Sequence, residues 1–330
     1  MVLRYYICKT LFLRAGTTWI WKKLRHQQTS LTSVHTQVVI YLSDLQIKEL
    51  EKDVKNSSWS AFAVGTKRNL MTQWRTFLLF CTYFKFVAIP ASLKTVCLYI
   101  QLLSRSFKSV ESIKNYISGI RTLHLFLDES FPYFDEFVVK LLFRGIERNT
   151  KHSPKRALTI TIDNLLDIYK VIDHNDPKQS TIWCLFLFAF FLMARKSNLV
   201  PDTKSSFDRN KQMTRNKVVL EDGIAIVIFS WSKTIQMGYR ILKIPLVENK
   251  GSTLCPVAAY MNMCKLIPAE GNSPAFLFPT DKGVVPVTYV DFQRYLKFFI
   301  TKIGKNPLFY SSHSFRRGGA TFAFESKVPS

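Results

Sequence analysis

Residues 183–194 read WCLFLFAFFLMA, an unbroken apolar run closed abruptly by Arg195 and Lys196. A helix needs about 20 apolar residues to cross a bilayer, so this run is too short to be a membrane segment. A helix that is apolar on every side must be enclosed by other elements of a folded domain. The sequence therefore places a wholly buried helix over residues 179–195, with Arg195 at its end, and builds a domain around it.

On either side the pattern changes character. Residues 161–171 carry a helical period. Residues 224–230 (IAIVIFS) and 239–246 (YRILKIPL) are strands by their β-branched content, and residues 231–238 form the tip of the hairpin between them. Gly238 is available there for a positive φ angle. Residues 255–266, entered through Pro256, and residues 289–303 return to helical spacing. This half reads as a helix-rich domain over residues 158–330 with a small antiparallel sheet.

Before it, residues 149–156 (NTKHSPKR) are polar, basic and interrupted by Pro154, and the linker is set at 149–157. Residues 43–148 read as a helical domain. Ser43 and Gln46 have capping-box spacing ahead of a short helix at 45–52. Leu70, Trp74, Phe77, Cys81 and Phe84 recur at three- and four-residue steps in a longer helix, whose other side carries Lys67, Arg68 and Arg75. Pro90 breaks the chain before a helix at 93–103. Ile113, Tyr116, Ile117, Ile120 and Leu123 mark another, and a last helix at 134–148 is expected to turn Phe134, Val138, Leu141 and Leu142 inward.

Residues 1–42 form a basic leader without Asp or Glu, carrying Arg4, Lys9, Arg14, Lys22, Lys23 and Arg25. This is the composition of a mitochondrial presequence. An untranslated leader or a basic arm on DNA is the plainer reading.

Lys and Arg number 46 against 23 Asp and Glu, a formal charge of +23. Such an excess repels itself unless a polyanion neutralises it, which makes nucleic acid the first partner class, with an anionic membrane surface or plain solvation as the alternatives. The 47% hydrophobic content excludes global disorder. Six cysteines show no CxxC pair and no His at zinc-finger spacing, so no structural metal is expected and a reducing compartment is. The acids form no cluster that could hold two Mg²⁺ ions, which sets aside metal-dependent nucleases and transposases.

Four basic side chains fall in suggestive surroundings. Arg195 stands in ARKSNLVP, Lys233 in WSKTIQ, and His313 with Arg316 in SHSFRRGGAT. Three residues apart on a helix that Ser311 or Ser312 can cap, His313 and Arg316 project from one face. Gly318 and Gly319 each cost about 1 kcal/mol in a helix interior, so a close approach to another backbone is expected there. Two Arg forks can bind the nonbridging oxygens of a phosphodiester, a His can take a proton from a nucleophile, and a Lys can deliver one to a leaving oxygen. Taken singly, each has a plainer reading: Arg195 as a helix-end charge, Lys233 as a turn lysine, His313 as a helix-start histidine bonded to backbone.

In order and surroundings these motifs resemble the tyrosine recombinases and phage-type integrases, and look most like the branch carried by Crypton and DIRS-like mobile elements. The resemblance spans residues 43–330. It implies a SAM-like helical core-binding domain followed by a recombinase catalytic domain. It also implies a clamp of Arg195 and Arg316 on the scissile phosphate, with Lys233 as general acid and His313 assisting proton transfer. The partner it implies is double-stranded DNA, touched by Lys67, Arg68, Lys151, Lys155, Arg156, Lys196 and Arg317. Assembly is as a homo-oligomer, a tetramer in the complete family, with no cofactor and no membrane. Localisation would be nuclear in a eukaryote, or mitochondrial from the basic leader. Two departures stand out. Asn198 occupies the place where the family has an acid, and no Tyr follows Tyr310, so the chain is expected to lack the nucleophile through C-terminal truncation. Tyr310 itself reads as packing or DNA contact. A type IB topoisomerase shares the chemistry but fits the first half less well. A non-catalytic DNA-binding protein derived from a mobile element is the competing function.

Overall fold

The computed structural model describes residues 44–131, 133–152, 156–232 and 240–327. The chain is mainly α-helical with a small antiparallel sheet, and it divides into two compact units at the His152–Ser153 boundary. The basic leader, Ser43, Lys155 and Lys233 lie outside the described residues.

The first unit holds α1 (Asp44–Ser60), α2 (Val64–Phe84), α3 (Leu93–Ser106), α4 (Val110–Phe126) and α5 (Phe137–Thr150). Leu70, Trp74, Phe77 and Cys81 of α2 are buried as their spacing requires, while Phe84, at the helix end, is half exposed. Ser92 caps α3 by accepting from the Thr95 amide at 3.1 Å. Ile113, Ile117 and Ile120 of α4 are fully enclosed by α2, α3 and α5. Gly119 lets α2 approach: Trp74 Nε1 donates to its carbonyl at 2.7 Å, and a Cβ there would run into the Gln73 side chain. His124, also fully buried, receives the Ala91 amide on Nε2 and sits 2.9 Å from the Ile120 carbonyl through Nδ1, so the proton is on Nδ1.

Three expectations fail, wholly or in part, in this unit. The first helix runs on to Ser60 rather than stopping at residue 52, because no Gly or Pro interrupts it. The buried face of α5 is Val139, Phe143 and Ile146; of the residues expected inward, Leu142 and Phe134, which precedes the helix, pack partly buried against the same core, whereas Val138 and Leu141 do not. The helix starts only at Phe137, and the three- and four-residue stripe that meets α3 and α4 is set one position later. Val138 and Leu141 are about half exposed, at 52% and 47%. The helix also continues through Asn149 and Thr150, into the stretch read as linker, and stops where Lys151 turns to a φ of 42°.

The second unit comprises α6 (Ile162–Val171), α7 (Pro177–Phe191), α8 (Lys196–Leu199), β1 (Val218–Glu221), β2 (Ile224–Phe229), β3 (Leu242–Val247), α9 (Pro256–Leu266), β4 (Leu277–Thr280), β5 (Gly283–Pro286), α10 (Tyr289–Lys302) and α11 (Ser312–Glu325). Every residue of α7 from Ser180 to Phe190 is buried, with α9, α11 and β4 around it. Its two buried hydroxyls are satisfied: Thr181 Oγ1 lies 2.9 Å from the Pro177 carbonyl and 3.0 Å from that of Leu277, and Ser180 Oγ accepts from Asn262 Nδ2 at 3.0 Å. The helix ends at Phe191 rather than 195, so Arg195 is not its last residue but the N-cap of α8. The chain leaves α7 through Met193, whose φ is 47°.

The sheet has the order β1-β2-β3, all antiparallel, with Ala225, Val227 and Phe229 of β2 facing the core. The strand β1 and the pair β4–β5 were not foreseen, although both hairpins carry turn chemistry. Asp222-Gly223 joins β1 to β2 with positive φ at both residues, and Gly283 opens β5 at 115°.

Gly318 and Gly319 bring α11 onto its neighbours. A Cβ on Gly318 would meet the Ile160 carbonyl oxygen, and one on Gly319 the Phe190 carbonyl oxygen, both backbone atoms that cannot swing aside. Gly319→Ala is therefore expected to destabilise the second unit by roughly 3 kcal/mol or more, beyond the ordinary cost of overpacking. Gly65→Ala in α2, with nothing within 4 Å of the added Cβ, should instead gain about 0.5–1 kcal/mol in its own unit. Denaturant unfolding of both variants checks the contrast.

Candidate nucleic-acid interface

Arg195 and Arg316 reach one place from two ends of the fold. Ser311 and Ser314 form a capping box that starts α11, with the Ser314 hydroxyl accepting from the Ser311 amide at 3.0 Å. Phe315, fully buried against Phe186 and Phe292, fixes the rotation of that first turn. Arg316 is thereby half-buried at the edge of the core, where its Nη1 donates to the Met193 carbonyl at 2.6 Å. Met193 presents that carbonyl because it is left-handed, and two residues later the chain sets Arg195 at the start of α8.

The charge of Arg195 is felt at Arg316. Burial, and after it the charge of Arg195, push the Arg316 guanidinium below its ordinary value. Among the described residues neither Arg takes part in an ion pair. Two half-buried like charges without a carboxylate leave a site in which an anion would relieve both burial and repulsion. His313, one turn before Arg316 on the same helix, is exposed.

Asn198 is the residue whose role the sequence did not disclose. It is buried at 4% exposure on α8, and its Nδ2 donates to the Trp231 carbonyl at 2.7 Å. Its own carbonyl receives the Met213 amide at 2.9 Å. The short helix headed by Arg195 is thus tied to the chain entering residues 233–239, which lie outside the described residues together with Lys233. An ionised acid at position 198 could not donate that bond. No pattern in the sequence marks Met193 as a partner of Arg316.

The other basic residues are placed variously. Lys196 pairs with Asp202 at 2.9 Å and stands 3.5 Å over the Tyr289 ring. Arg317 donates to the Ala157 carbonyl and fastens α11 to the start of its unit. Lys67 lies 5.5 Å over Trp59, while Arg68, Lys151 and Arg156 are exposed. Tyr310 is buried within the hydrophobic core of the second unit. Among the described residues, no group of three or more His, Cys, Asp or Glu could hold a metal ion. None of the described helices is long and apolar enough to cross a membrane.

No protein-family model matches the sequence, and no curated protein matches it. Among solved structures the chain is similar to two complexes of the XerH site-specific recombinase. One is bound to its difH substrate in a pre-cleavage state, with 12% identity and a TM-score of 0.44 over 72% of this chain and 61% of that one. The other is a post-cleavage complex on palindromic difH, with 11% identity and a TM-score of 0.45 over 87% and 75% of the two chains. The chain thus spans less than two thirds of the first of these proteins, and no residue role is transferred from either.

Asn198→Asp should remove the bond to Trp231 and set a carboxylate against a carbonyl. A loss of about 1–3 kcal/mol is expected in chemical denaturation of the second unit. Unchanged stability would show that the link to Trp231 is dispensable.

Proposed function

We propose that this chain is a DNA-binding protein of the tyrosine-recombinase and integrase type, of the kind carried by Crypton and DIRS-like elements. In this reading Arg195 and Arg316 grip the nonbridging oxygens of a phosphodiester in double-stranded DNA. Lys233 is the general acid for the leaving oxygen, and His313 assists the proton transfer at the nucleophile. The observation that carries it is the half-buried pair Arg195–Arg316, without a carboxylate partner among the described residues, in a chain of +23. Arg presents a planar fork that matches two phosphate oxygens, and rigid placement by α8 and α11 keeps the forks aimed before the ligand arrives. The chemistry needs no metal, because guanidiniums take up the charge of the five-coordinate phosphorus.

The reaction class would proceed through a phosphotyrosyl intermediate, and residues 317–330 contain no Tyr to form it. A second reading is a DNA-binding protein that keeps the clamp without cleavage. A nicked suicide substrate separates the two. Residues 1–330 are expected to bind it without a covalent protein–DNA adduct, and an adduct would refute the absence of a nucleophile.

For binding itself, anisotropy with duplex DNA across a salt series is the measurement. Affinity should fall steeply with salt, and Arg195→Ala or Arg316→Ala should each lower the slope of log K against log salt by about 1. Slopes identical to wild type in both variants, or binding that requires Mg²⁺, would reject the clamp.

A further inference from the structure

Among the described residues, Arg215 is the only Lys, Arg, Asp or Glu that is buried, at 7% exposure. It opens the short turn Arg215–Lys217 before β1. Its Nη2 donates to the Ile267 carbonyl at 3.1 Å and its Nη1 to Cys264 Sγ on α9. Its Nε has no partner, and no carboxylate pairs with the guanidinium among the described residues. A guanidinium keeps its proton in a protein, so this charge stays in place. Enclosing it without an anion is costly, so a group beside it must be able to carry negative charge.

Three ionisable side chains are its neighbours. Tyr260, whose ring lies 5.8 Å from the guanidinium, donates its hydroxyl to the Arg215 carbonyl at 3.3 Å, and burial pushes that phenol upward. Cys184 is fully enclosed on α7, and burial pushes its thiol well up. Both therefore keep their protons near neutrality. That leaves Cys264, whose sulfur receives the Nη1 hydrogen bond and which is only partly buried, open to a small molecule from solvent.

We infer that Cys264 is a thiolate nucleophile held by Arg215, and a site of oxidation by hydroperoxides. A cation beside the sulfur favours the anion, and the anion is the form that reacts. The sulfur attacks one peroxide oxygen, an S–O bond forms and the O–O bond breaks. Hydroxide leaves and takes a proton from solvent. Sulfur gives up two electrons and the peroxide accepts two, so the products are a sulfenic acid and one water. The new oxygen is an acceptor beside a guanidinium whose Nε has none. Neither Arg195 nor Arg316 takes part.

Cys97 is the internal comparison. It too is partly buried, on α3, but burial alone acts on its thiol and pushes it up. The test is the full chain near neutral pH, given limiting hydrogen peroxide, trapped with dimedone and mapped by peptide mass spectrometry. In the native protein Cys264 should acquire the adduct at least about tenfold faster than Cys97. In denaturant the two rates should converge, because the guanidinium no longer holds the sulfur. This comparison needs no variant. Arg215→Lys, which keeps a charge, should retain most of the preference for Cys264. Arg215→Gln, which keeps donors without charge, should reduce it at least about tenfold, with thermal unfolding used to show that each variant is folded. Arg316→Ala should label as wild type does. Four results would overturn the inference: equal native rates at the two cysteines, a preference that survives denaturant, no sulfenic acid trapped at Cys264, or a folded Arg215→Gln chain that reacts as wild type.

Discussion

The close approach of backbone to backbone at Gly318 and Gly319 sets the geometry of everything around the candidate site. Without side chains at these two positions, α11 lies directly on the Ile160 and Phe190 carbonyls, nearer than any Cβ would allow. That approach seats Phe315 against Phe186 and places Arg316 within reach of the Met193 carbonyl. It also holds Arg317 beside Ala157, at the first residues of the unit. The two glycines cost helix propensity, and packing against the end of α7 offsets that cost. Arg316 therefore owes its position to a helix that α11 meets at its end, over a hundred residues earlier in the chain.

The uniformly apolar helix α7 is the other half of this constraint. Being buried all round, it is covered by α9, α11 and β4, and its end can be used as a fixed point from several sides. The chain leaves that fixed point through left-handed Met193 and starts α8 at Arg195. One rigid helix end thus serves as the common origin of both guanidiniums. Asn198 extends the same frame to Trp231. Rigid placement of this sort is what an electrostatic site needs, since donors that must reorganise to meet a charge lose much of their effect.

What could be read from the sequence follows from how local each feature is. The buried helix, the strand at β2, the capped start of α11 and the glycine contact all have signatures within a few residues, and all four are present. The rotation of α5 is not local: Val138, Leu141 and Leu142 make as good an apolar stripe as Val139, Phe143 and Ile146, and only the positions of α3 and α4 decide which is covered. The hairpins β1–β2 and β4–β5 did carry Asp-Gly and Lys-Gly turn signals, but their four-residue strands offer too short an alternation to stand out. Arg215 was invisible for a different reason. It is 7% exposed, spans from the Ile267 carbonyl to Cys264 Sγ, and lies 5.8 Å from the Tyr260 ring, with nothing in RNK to distinguish it from a surface residue. Of the candidate site, the residue types and their order were legible. The convergence of Arg195 and Arg316 was expected only through the family resemblance, because the residues themselves do not show where α7 stops.

The distribution of the acids explains how the fold tolerates so much positive charge. The ion pairs among the described residues join positions no more than six apart; four of the six are i,i+3 pairs, three of them on helices and one in a turn. Pairs of that kind contribute little to stability, and among the described residues no ion pair bridges elements distant in sequence. Cohesion is left to the apolar cores and to backbone and side-chain hydrogen bonds such as those of Trp74, His124, Thr181 and Asn198. Because such contacts are screened far less by salt than surface charges are, the ion-dependent part of the molecule's behaviour is concentrated in what its exposed and half-buried cations bind. The self-repulsion of the chain and the affinity proposed for a polyanion then have one source, since a polyanion that neutralised these cations would relieve the repulsion.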